Sequence, residues 1–122
     1  MNKATLIGRL TRDVEMRTTQ NGKSVASFTL AVDRRFKQDE QQPTADFIPI
    51  VVWGKTAEVC GKYLVKGNRC GVAGRIQTRS YEAKDGSKRY VTEIIAEEVE
   101  FLESRKSGGQ FGESVPDEEI PF

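Results

Sequence analysis

Apolar and polar residues alternate along five stretches of this chain, and a two-residue period predicts five β-strands. The first stretch is KATLIGRL at residues 3–10. The second has an apolar face made of alternate residues: Ala26, Phe28, Leu30 and Val32. Asn21-Gly22 precedes this face, and the dipeptide between two alternating runs is the strongest short-range signal for a tight hairpin. We therefore expect the runs on either side of Asn21-Gly22 to pair antiparallel.

The third stretch, DFIPIVVW at residues 46–53, predicts a strand whose two faces differ in kind. Its alternate aliphatic residues, centred on Ile50, form the natural core side. Phe47 and Trp53 fall on the opposite face, about 20 Å apart at roughly 3.3 Å per residue. An alternative interpretation is that both faces are buried between two layers.

A short helix is predicted by KTAEVCGKYLVKG at residues 55–67. Ala57, Cys60 and Leu64 form its apolar stripe, and Gly67 is placed to end it. We interpret Tyr63, which flanks the stripe, as core packing. Only about three turns of helix are available.

Alternation returns in NRCGVAGRIQTRSY at residues 68–81, where glycines 71 and 74 would permit a sharp bend or a close approach. One side of this strand carries Cys70, Val72 and Ile76, and the other carries Arg69, Arg75, Arg79 and Tyr81. Asp85-Gly86 predicts a second hairpin. The last strand runs from about Tyr90 to Leu102, and its alternation slips near Glu97-Glu98, which predicts a bulge.

Five strands, two hairpins and one helix between the third and fourth strands predict an all-β fold, a five-stranded Greek-key OB-fold barrel. A flat sheet of this size would leave long open edges and one uncovered face, whereas closure removes both. One outer face of such a barrel is a ligand groove. The aromatic and basic residues opposite the aliphatic core sides are therefore expected to line it.

Charge is distributed unevenly, although the net charge is only +1. All 19 Lys and Arg lie in residues 1–106 with 14 of the 18 acids, so that segment carries +5 and residues 107–122 carry −4. Residues 1–106 are predicted to form the folded domain. The tail is rich in Gly, Ser and acids, and it is expected to be disordered when free. A basic domain with an acidic tail indicates an anionic ligand and a segment that can compete with it.

The chain contains no histidine, which removes the usual general base and the usual zinc ligand. We expect no enzymatic activity and no cofactor. Cys60 and Cys70 lack metal-ligand spacing, and no signal peptide or membrane span is recognised, so a cytoplasmic protein with reduced thiols is predicted.

Aromatic rings interleaved with cations are the composition of a site for single-stranded nucleic acid, because rings stack on bases while cations follow phosphates. The candidate stacking residues are Phe36, Phe47, Trp53 and Tyr81. The candidate phosphate contacts are Arg9, Arg12, Arg34, Arg35, Lys37, Arg75, Arg79, Lys84, Lys88 and Arg89. For any single arginine, a solvated barrel exterior is the alternative.

Four blocks and the closing DEEIPF together resemble the bacterial single-stranded DNA-binding protein family, in its firmicute-like variety, over essentially the whole chain. The blocks are MNKATLIGRLTRDVE, NGKSVASFTLAVDRRF, DFIPIVVWGKTAEVCGKYLVKG and GRIQTRSYEAKDGSKRYVTEIIAEEVEFLE. The resemblance implies an OB-fold homotetramer that binds single-stranded DNA without strong sequence preference in replication, recombination and repair. It also implies that the four candidate rings occupy the family's stacking positions.

The resemblance further implies that the acidic tip docks DNA-processing proteins. The tip residues are Asp117, Glu118, Glu119, Ile120, Pro121 and Phe122. An apolar ring with flanking carboxylates suits a pocket with a basic rim, and a solubilising tail is the alternative. The linker, residues 107–116, is shorter than in many relatives.

Two other classes of protein are alternatives to a single-stranded DNA-binding protein. An RNA-binding OB-fold protein would use the same rings but would prefer RNA through contacts to the 2′-hydroxyl. A metal-dependent hydrolase would need converging carboxylates, and Glu97, Glu98 and Glu100 show no such convergence.

Overall fold

Six strands and one helix form the part of the chain that the computed structural model describes, residues 1–35 and 44–102. The elements are β1 (Ala4–Leu10), β2 (Glu15–Thr18), β3 (Ser24–Asp33), β4 (Ala45–Trp53), α1 (Gly54–Tyr63), β5 (Arg69–Glu82) and β6 (Lys88–Phe101). The predictions that concern Phe36, Lys37 and the tail fall outside the described residues. Within the described ranges, no helix has the length and the apolar run needed to cross a bilayer.

The strands close into a ring in the order β1-β5-β6-β4-β3, with β3 returning to pair with the end of β1. Every pairing in the ring is antiparallel except that of β4 with β6. The short β2 continues β1 after a break and pairs with β3, so β1 and β2 are the two halves of one strand. Counted in this way, the predicted five-stranded OB fold with its helix between the third and fourth strands is confirmed.

Alternate residues of each strand fill the inside of the ring. Leu30 of β3, Ile50 and Val52 of β4 are fully buried, and burial of such a side chain contributes about 1.5–3 kcal/mol. Helix α1 adds Ala57 and Cys60 to the same core. The apolar faces predicted for β3 and β4 are therefore confirmed.

Tyr63 packs against the core, as predicted. Its ring meets that of Phe101 edge to face, with centroids 6.2 Å apart. This geometry is favourable for aromatic pairs. It ties the last turn of α1 to the end of β6.

Both predicted hairpins are present, and their turns are built alike. The N–H of Gly22 donates to the carbonyl of Thr19, and that of Gly86 donates to the carbonyl of Ala83, each at 2.9 Å. The glycines have φ of +86° and +88°, a conformation that other residues rarely adopt. The glycine of each dipeptide therefore closes the turn.

The predicted bulge in β6 is also confirmed. Ala73 pairs with Glu98 whereas Gly74 pairs with Ala96, so Glu97 is the extra residue. A side chain on Gly74 would collide with the carbonyl oxygen of Ile95. Glycine at this position is therefore required by close contact between β5 and β6.

The predicted end of the helix is wrong. Helix α1 ends at Tyr63, and Leu64 is its extended C-cap, so Gly67 is not the helix-terminating residue. Gly67 lies in the following turn and donates its N–H to the carbonyl of Leu10 at 2.9 Å. The chain leaves the helix early because this turn must reach the end of β1.

Ile76 lies on the core side of β5 but is 45% exposed. It pairs with Ile94, near the point where the barrel ends and the two strands continue. Residues 77–82 and 88–93 form a long two-stranded extension, which we call the β5–β6 arm. Alternation along the arm therefore no longer separates core from solvent.

We predict that both cysteines resist modification in the folded protein. Burial raises the pKa of Cys60 and that of Cys70 to about 12, and the proximity of Cys70 adds to the shift at Cys60. Both groups should stay as unreactive thiols at pH 8, since the thiolate is the nucleophile. A coloured thiol reagent should react only after denaturant is added. Rapid reaction of the native protein at pH 8 would contradict this arrangement.

Candidate nucleic-acid interface

The outer face of β4 presents aromatic rings to solvent. Phe47 is 64% exposed and Trp53 is 46% exposed, while Ile50 and Val52 on the other face are fully buried. The alternative in which both faces of β4 are buried does not hold in this chain. Trp53 is the last residue of β4, and α1 begins at the next residue, so the strand and the helix together fix its backbone.

Two adjoining cavities, of about 640 and 470 Å³, lie on this outer face. One extends towards Arg12 and Pro49, and the other is bounded by Trp53. Four residues line both cavities: Arg17, Val51, Arg79 and Glu93. We call the two cavities together the outer groove.

Strand register places further residues on the groove side. Val51 pairs with Ser27 in β3 and with Ile95 in β6, and Ile95 pairs with Arg75 in β5. Paired residues project to the same face of a sheet. Arg75 therefore lies on the same face as Val51 and Trp53.

Arg9 lies beside Phe47 on the outer surface. Both residues pair with Ala31, Arg9 from β1 and Phe47 from β4. The Nη1 group of Arg9 donates a hydrogen bond to the carbonyl of Gly67 at 2.9 Å. A cation and an exposed ring are thus brought to one end of β4.

Arg79 forms an ion pair inside the outer groove. Its Nε donates to Oε2 of Glu93 at 3.2 Å. The Arg79 side chain is 53% exposed, whereas that of Glu93 is 6% exposed. The pair therefore consists of a buried carboxylate and a guanidinium that reaches solvent.

Arg34 is held by Asp46 across the β3–β4 hairpin. Its Nε donates to both carboxylate oxygens at 3.2 Å, and its Nη2 donates to Oδ1 at 2.8 Å. The hydrogen bond from Arg34 lowers the pKa of Asp46, and the pKa of Arg34 is raised in turn. The neighbouring Arg35 is exposed at the edge of the described residues.

The β5–β6 arm carries the remaining candidates. Tyr81 is 47% exposed and pairs with Arg89, so both lie on the groove side of the arm. Lys84 and Lys88 are exposed near its tip. Arg89 donates to the hydroxyl of Ser87 at 3.0 Å and contacts Asp85 at 3.6 Å. Hydrogen bonds from Ser87 lower the pKa of Asp85.

The structure therefore brings six of the twelve described candidates to the outer groove or its face. Arg12, Arg79 and Trp53 line the outer groove, and Phe47, Arg9 and Arg75 share its face. Tyr81, Lys84, Lys88 and Arg89 lie further out on the arm, and Arg34 lies with Asp46 beyond the groove lining. Phe36, Lys37 and residues 117–122 are outside the described residues.

Sequence reasoning missed two charged residues of the groove, Arg17 and Glu93. Met16 lies against Gly61 of α1, so its neighbour Arg17 projects to the opposite face, where it lines both cavities. The same alternation was a usable signal for Arg17. The hairpin predicted at Asp85-Gly86 was a usable signal that Arg79 and Glu93 lie close together on paired strands, but no sequence signal showed that Glu93 is buried.

The acidic residues beyond the bulge lie away from the outer groove. Glu97, Glu98 and Glu100 line a separate cavity of about 240 Å³ with Lys55 of the helix. Within residues 1–35 and 44–102, no three His, Cys, Asp or Glu side chains are placed to hold a metal ion.

Comparison with known proteins identifies the family of this chain. The family model described as "Single-strand binding protein family" matches residues 1–102. The chain is 68% identical over 104 residues to Single-stranded DNA-binding protein 3 of Clostridium acetobutylicum, covering 84% of this chain and 72% of that one. It is 57% identical over 126 residues to Single-stranded DNA-binding protein 2 of the same organism, covering 99% and 94%. It is 53% identical over 110 residues to the Single-stranded DNA-binding protein of Bacillus cereus, covering 90% and 65%. This chain belongs to the single-strand binding protein family.

Proposed function

We propose that this protein binds single-stranded DNA without strong sequence preference and protects it. The observation that carries the proposal is the outward exposure of Phe47 and Trp53 on a face lined with arginines. Every base has a flat face, so stacking needs no particular sequence. Each stacked base is worth about 1–3 kcal/mol, so a few rings give tight binding.

The proposed contacts divide into stacking and phosphate sets. Bases stack on Phe47, Trp53 and Tyr81, with Phe36 as a further member outside the described residues. Phosphates contact the cations of the groove face and the arm, which are Arg9, Arg12, Arg17, Arg75, Arg79, Lys84, Lys88 and Arg89. Arg34, Arg35 and Lys37 are further proposed phosphate contacts, and Lys37 is outside the described residues. The proposed activity is binding, with no catalytic step.

Duplex DNA is a poorer ligand for such a site. Its bases are already stacked and paired, and exposing one costs a few kcal/mol. RNA offers equally flat bases, and a protein that selects it does so through the 2′-hydroxyl. Competition between the three polymers therefore tests the proposed ligand directly.

We also propose that the protein assembles as a homotetramer. In β1, residues Ala4 to Arg9 pair with β5 on one side, while only Arg9 and Leu10 pair with β3 on the other. The remaining edge of β1 is open in the described chain, and open edges are templates for pairing with another copy. Ile7, at 59% exposure, lies on the outer face of this strand. Both features support an interface at β1.

The acidic tail, residues 107–122, is proposed to recruit other DNA-processing proteins in replication, recombination and repair. Its composition supports the proposal, because three carboxylates precede the apolar tip Ile120-Pro121-Phe122. Such a segment orders only on binding. The proposed domain boundary is at residue 106.

A cytoplasmic, nucleoid-associated location is proposed from the same activity. Both cysteines of the described chain are free thiols. Free thiols persist in reducing compartments.

We predict that oligothymidylate quenches the fluorescence of Trp53, the only tryptophan of the chain. The ring is exposed before binding, and a stacked base changes its surroundings. Affinity should fall as salt is added, with a slope of about −0.7 per phosphate contact in the logarithmic plot. A fluorescence titration at several salt concentrations measures both effects.

Duplex DNA and RNA serve as competitors in the same titration, beside a mass measurement of the free protein. Both polymers should displace oligothymidylate less well than single-stranded DNA does, and the mass should correspond to four chains. Absence of quenching at low salt would contradict the proposed function. Equal affinity for duplex and single-stranded DNA would contradict it as well.

Removal of residues 107–122 should preserve or strengthen DNA binding at low salt and abolish partner recruitment. The physical reason is that the removed segment carries −4 and competes with phosphates for the same cations. The truncated and full chains are compared by the same titration and by capture of DNA-processing proteins. Loss of DNA binding on truncation would instead assign the tail to the DNA site.

A further inference from the structure

A buried carboxylate lies within the outer groove, where a polyanion is proposed to bind. Glu93 is 5% exposed and lines both cavities. A negative charge at this place repels phosphates, and a buried charge is unfavourable unless it is paired. The presence of Glu93 therefore needs a cause beyond solubility.

The partner of Glu93 is Arg79, one of the proposed phosphate contacts. Only Nε of Arg79 bonds to the carboxylate, at 3.2 Å. Within the described part of the chain, neither side chain has another hydrogen-bond or ion-pair partner. The rest of the guanidinium is left for a ligand, since the Arg79 side chain is 53% exposed.

We propose that Glu93 is a positioning residue that holds the guanidinium of Arg79 by its Nε, so that its terminal nitrogens meet a DNA phosphate. The inference rests on the proposed role of Arg79 as a phosphate contact. A guanidinium has five N–H donors in a fixed planar fork. One donor can serve the protein while others form a two-pronged contact with phosphate oxygens.

The positioning effect comes from conformational entropy. A free arginine side chain populates many rotamers, and ordering it on binding reduces affinity. Arg79 lies on the β5–β6 arm and its side chain is 53% exposed, and Glu93 lies two positions along the partner strand from its paired residue, Val91. The buried carboxylate orders the guanidinium before DNA arrives.

Two simpler accounts give different expectations. If Glu93 acts only as a negative charge in the groove, neutralising it tightens DNA binding. If it acts only in packing, the isosteric Glu93→Gln leaves affinity unchanged. The positioning role predicts weaker binding, although the substitution removes a repulsive charge, because a neutral amide oxygen accepts from Arg79 Nε without the charge assistance that strengthens the bond to Glu93.

The experiment compares Glu93→Gln with the matched control Glu58→Gln. Glu58 is an exposed carboxylate on α1, outside both cavities, and it accepts a hydrogen bond from Ser24 that glutamine can also accept. Affinity for oligothymidylate is read from Trp53 fluorescence at several salt concentrations. Glu58→Gln should leave affinity unchanged or slightly higher. Glu93→Gln should weaken it about three- to tenfold and reduce the salt slope by about 0.7, the value for one phosphate contact on a single strand.

Arg79→Lys supplies a second test that does not depend on the stability of Glu93→Gln. Lysine keeps the positive charge and can still pair with Glu93, but its single nitrogen lacks the planar fork needed to hold a carboxylate and a phosphate in fixed geometry. Arg79→Lys should therefore lose about as much affinity as Arg79→Gln. The double variant Glu93→Gln with Arg79→Gln should bind no more weakly than Arg79→Gln alone, because the two residues act as one unit.

Tighter DNA binding by Glu93→Gln would overturn the positioning role. Wild-type affinity in Arg79→Lys would overturn it as well. If Glu93→Gln fails to fold, the comparison of Arg79→Lys with Arg79→Gln tests the positioning role instead. Wild-type affinity in Arg79→Gln would remove Arg79 from the proposed DNA site and the inference with it. If DNA affinity falls in Arg79→Gln but not in Glu93→Gln, the proposed role of Glu93 is wrong, whereas Arg79 stays in the proposed DNA site.

Discussion

Alternate side chains of β4 point to the core and to solvent, and this alternation determines which side chains the binding face exposes. Ile50 and Val52 are fully buried, and a slip of one residue would exchange them with the rings of Phe47 and Trp53. Each exposed aliphatic side chain would then lose about 1.5–3 kcal/mol of burial. Register is held from both sides, because β4 pairs with β3 along its whole length and with β6 at Ile50 to Val52. The interactions that stabilise the core therefore also keep the rings outward, ready for unpaired bases.

The cations around those rings are organised by carboxylates, and the pairs differ in burial. The ion pairs of Arg34 with Asp46 and of Arg89 with Asp85 lie in solvent, where such pairs are worth about 0–1 kcal/mol. A phosphate can replace the carboxylate at little cost in either pair. Arg79 differs because its partner Glu93 is buried. Loss of Arg79 would leave the buried carboxylate of Glu93 unpaired, which is unfavourable. Arg79 is thus paired with a buried charge, which supports the proposal that the groove is partly preorganised.

Most of the fold could be predicted from the sequence because its strands obey a two-residue period and its turns carry Asn-Gly or Asp-Gly. The slip in alternation near Glu97 also predicted the bulge, since an extra residue shifts every later side chain to the other face. The end of the helix could not be predicted, because Leu64 continues the apolar stripe and the contact that stops the helix is the distant carbonyl of Leu10. The two-residue period also predicted the outward rings and Arg79, and the Asp85-Gly86 hairpin brings Arg79 close to Glu93. The burial of Glu93 could not be predicted, because it depends on how the strands pack around it. All the stacking and phosphate roles stay predictions, and those of Phe36, Lys37 and the tail concern residues outside the described ranges.

The central claim is that bases stack on the outer face of β4, and the most direct measurement compares two exposed rings. Phe47→Ala and Tyr90→Ala each remove an exposed aromatic ring, but Tyr90 pairs with Ser80 and lies on the face of the arm away from Tyr81. Affinity for oligothymidylate, read from Trp53 fluorescence, should fall in Phe47→Ala by a factor corresponding to about 1–3 kcal/mol. It should change little in Tyr90→Ala, and the melting temperature should change little in both. Equal affinities for the two variants, or a large fall in melting temperature for Phe47→Ala without loss of affinity, would contradict the account.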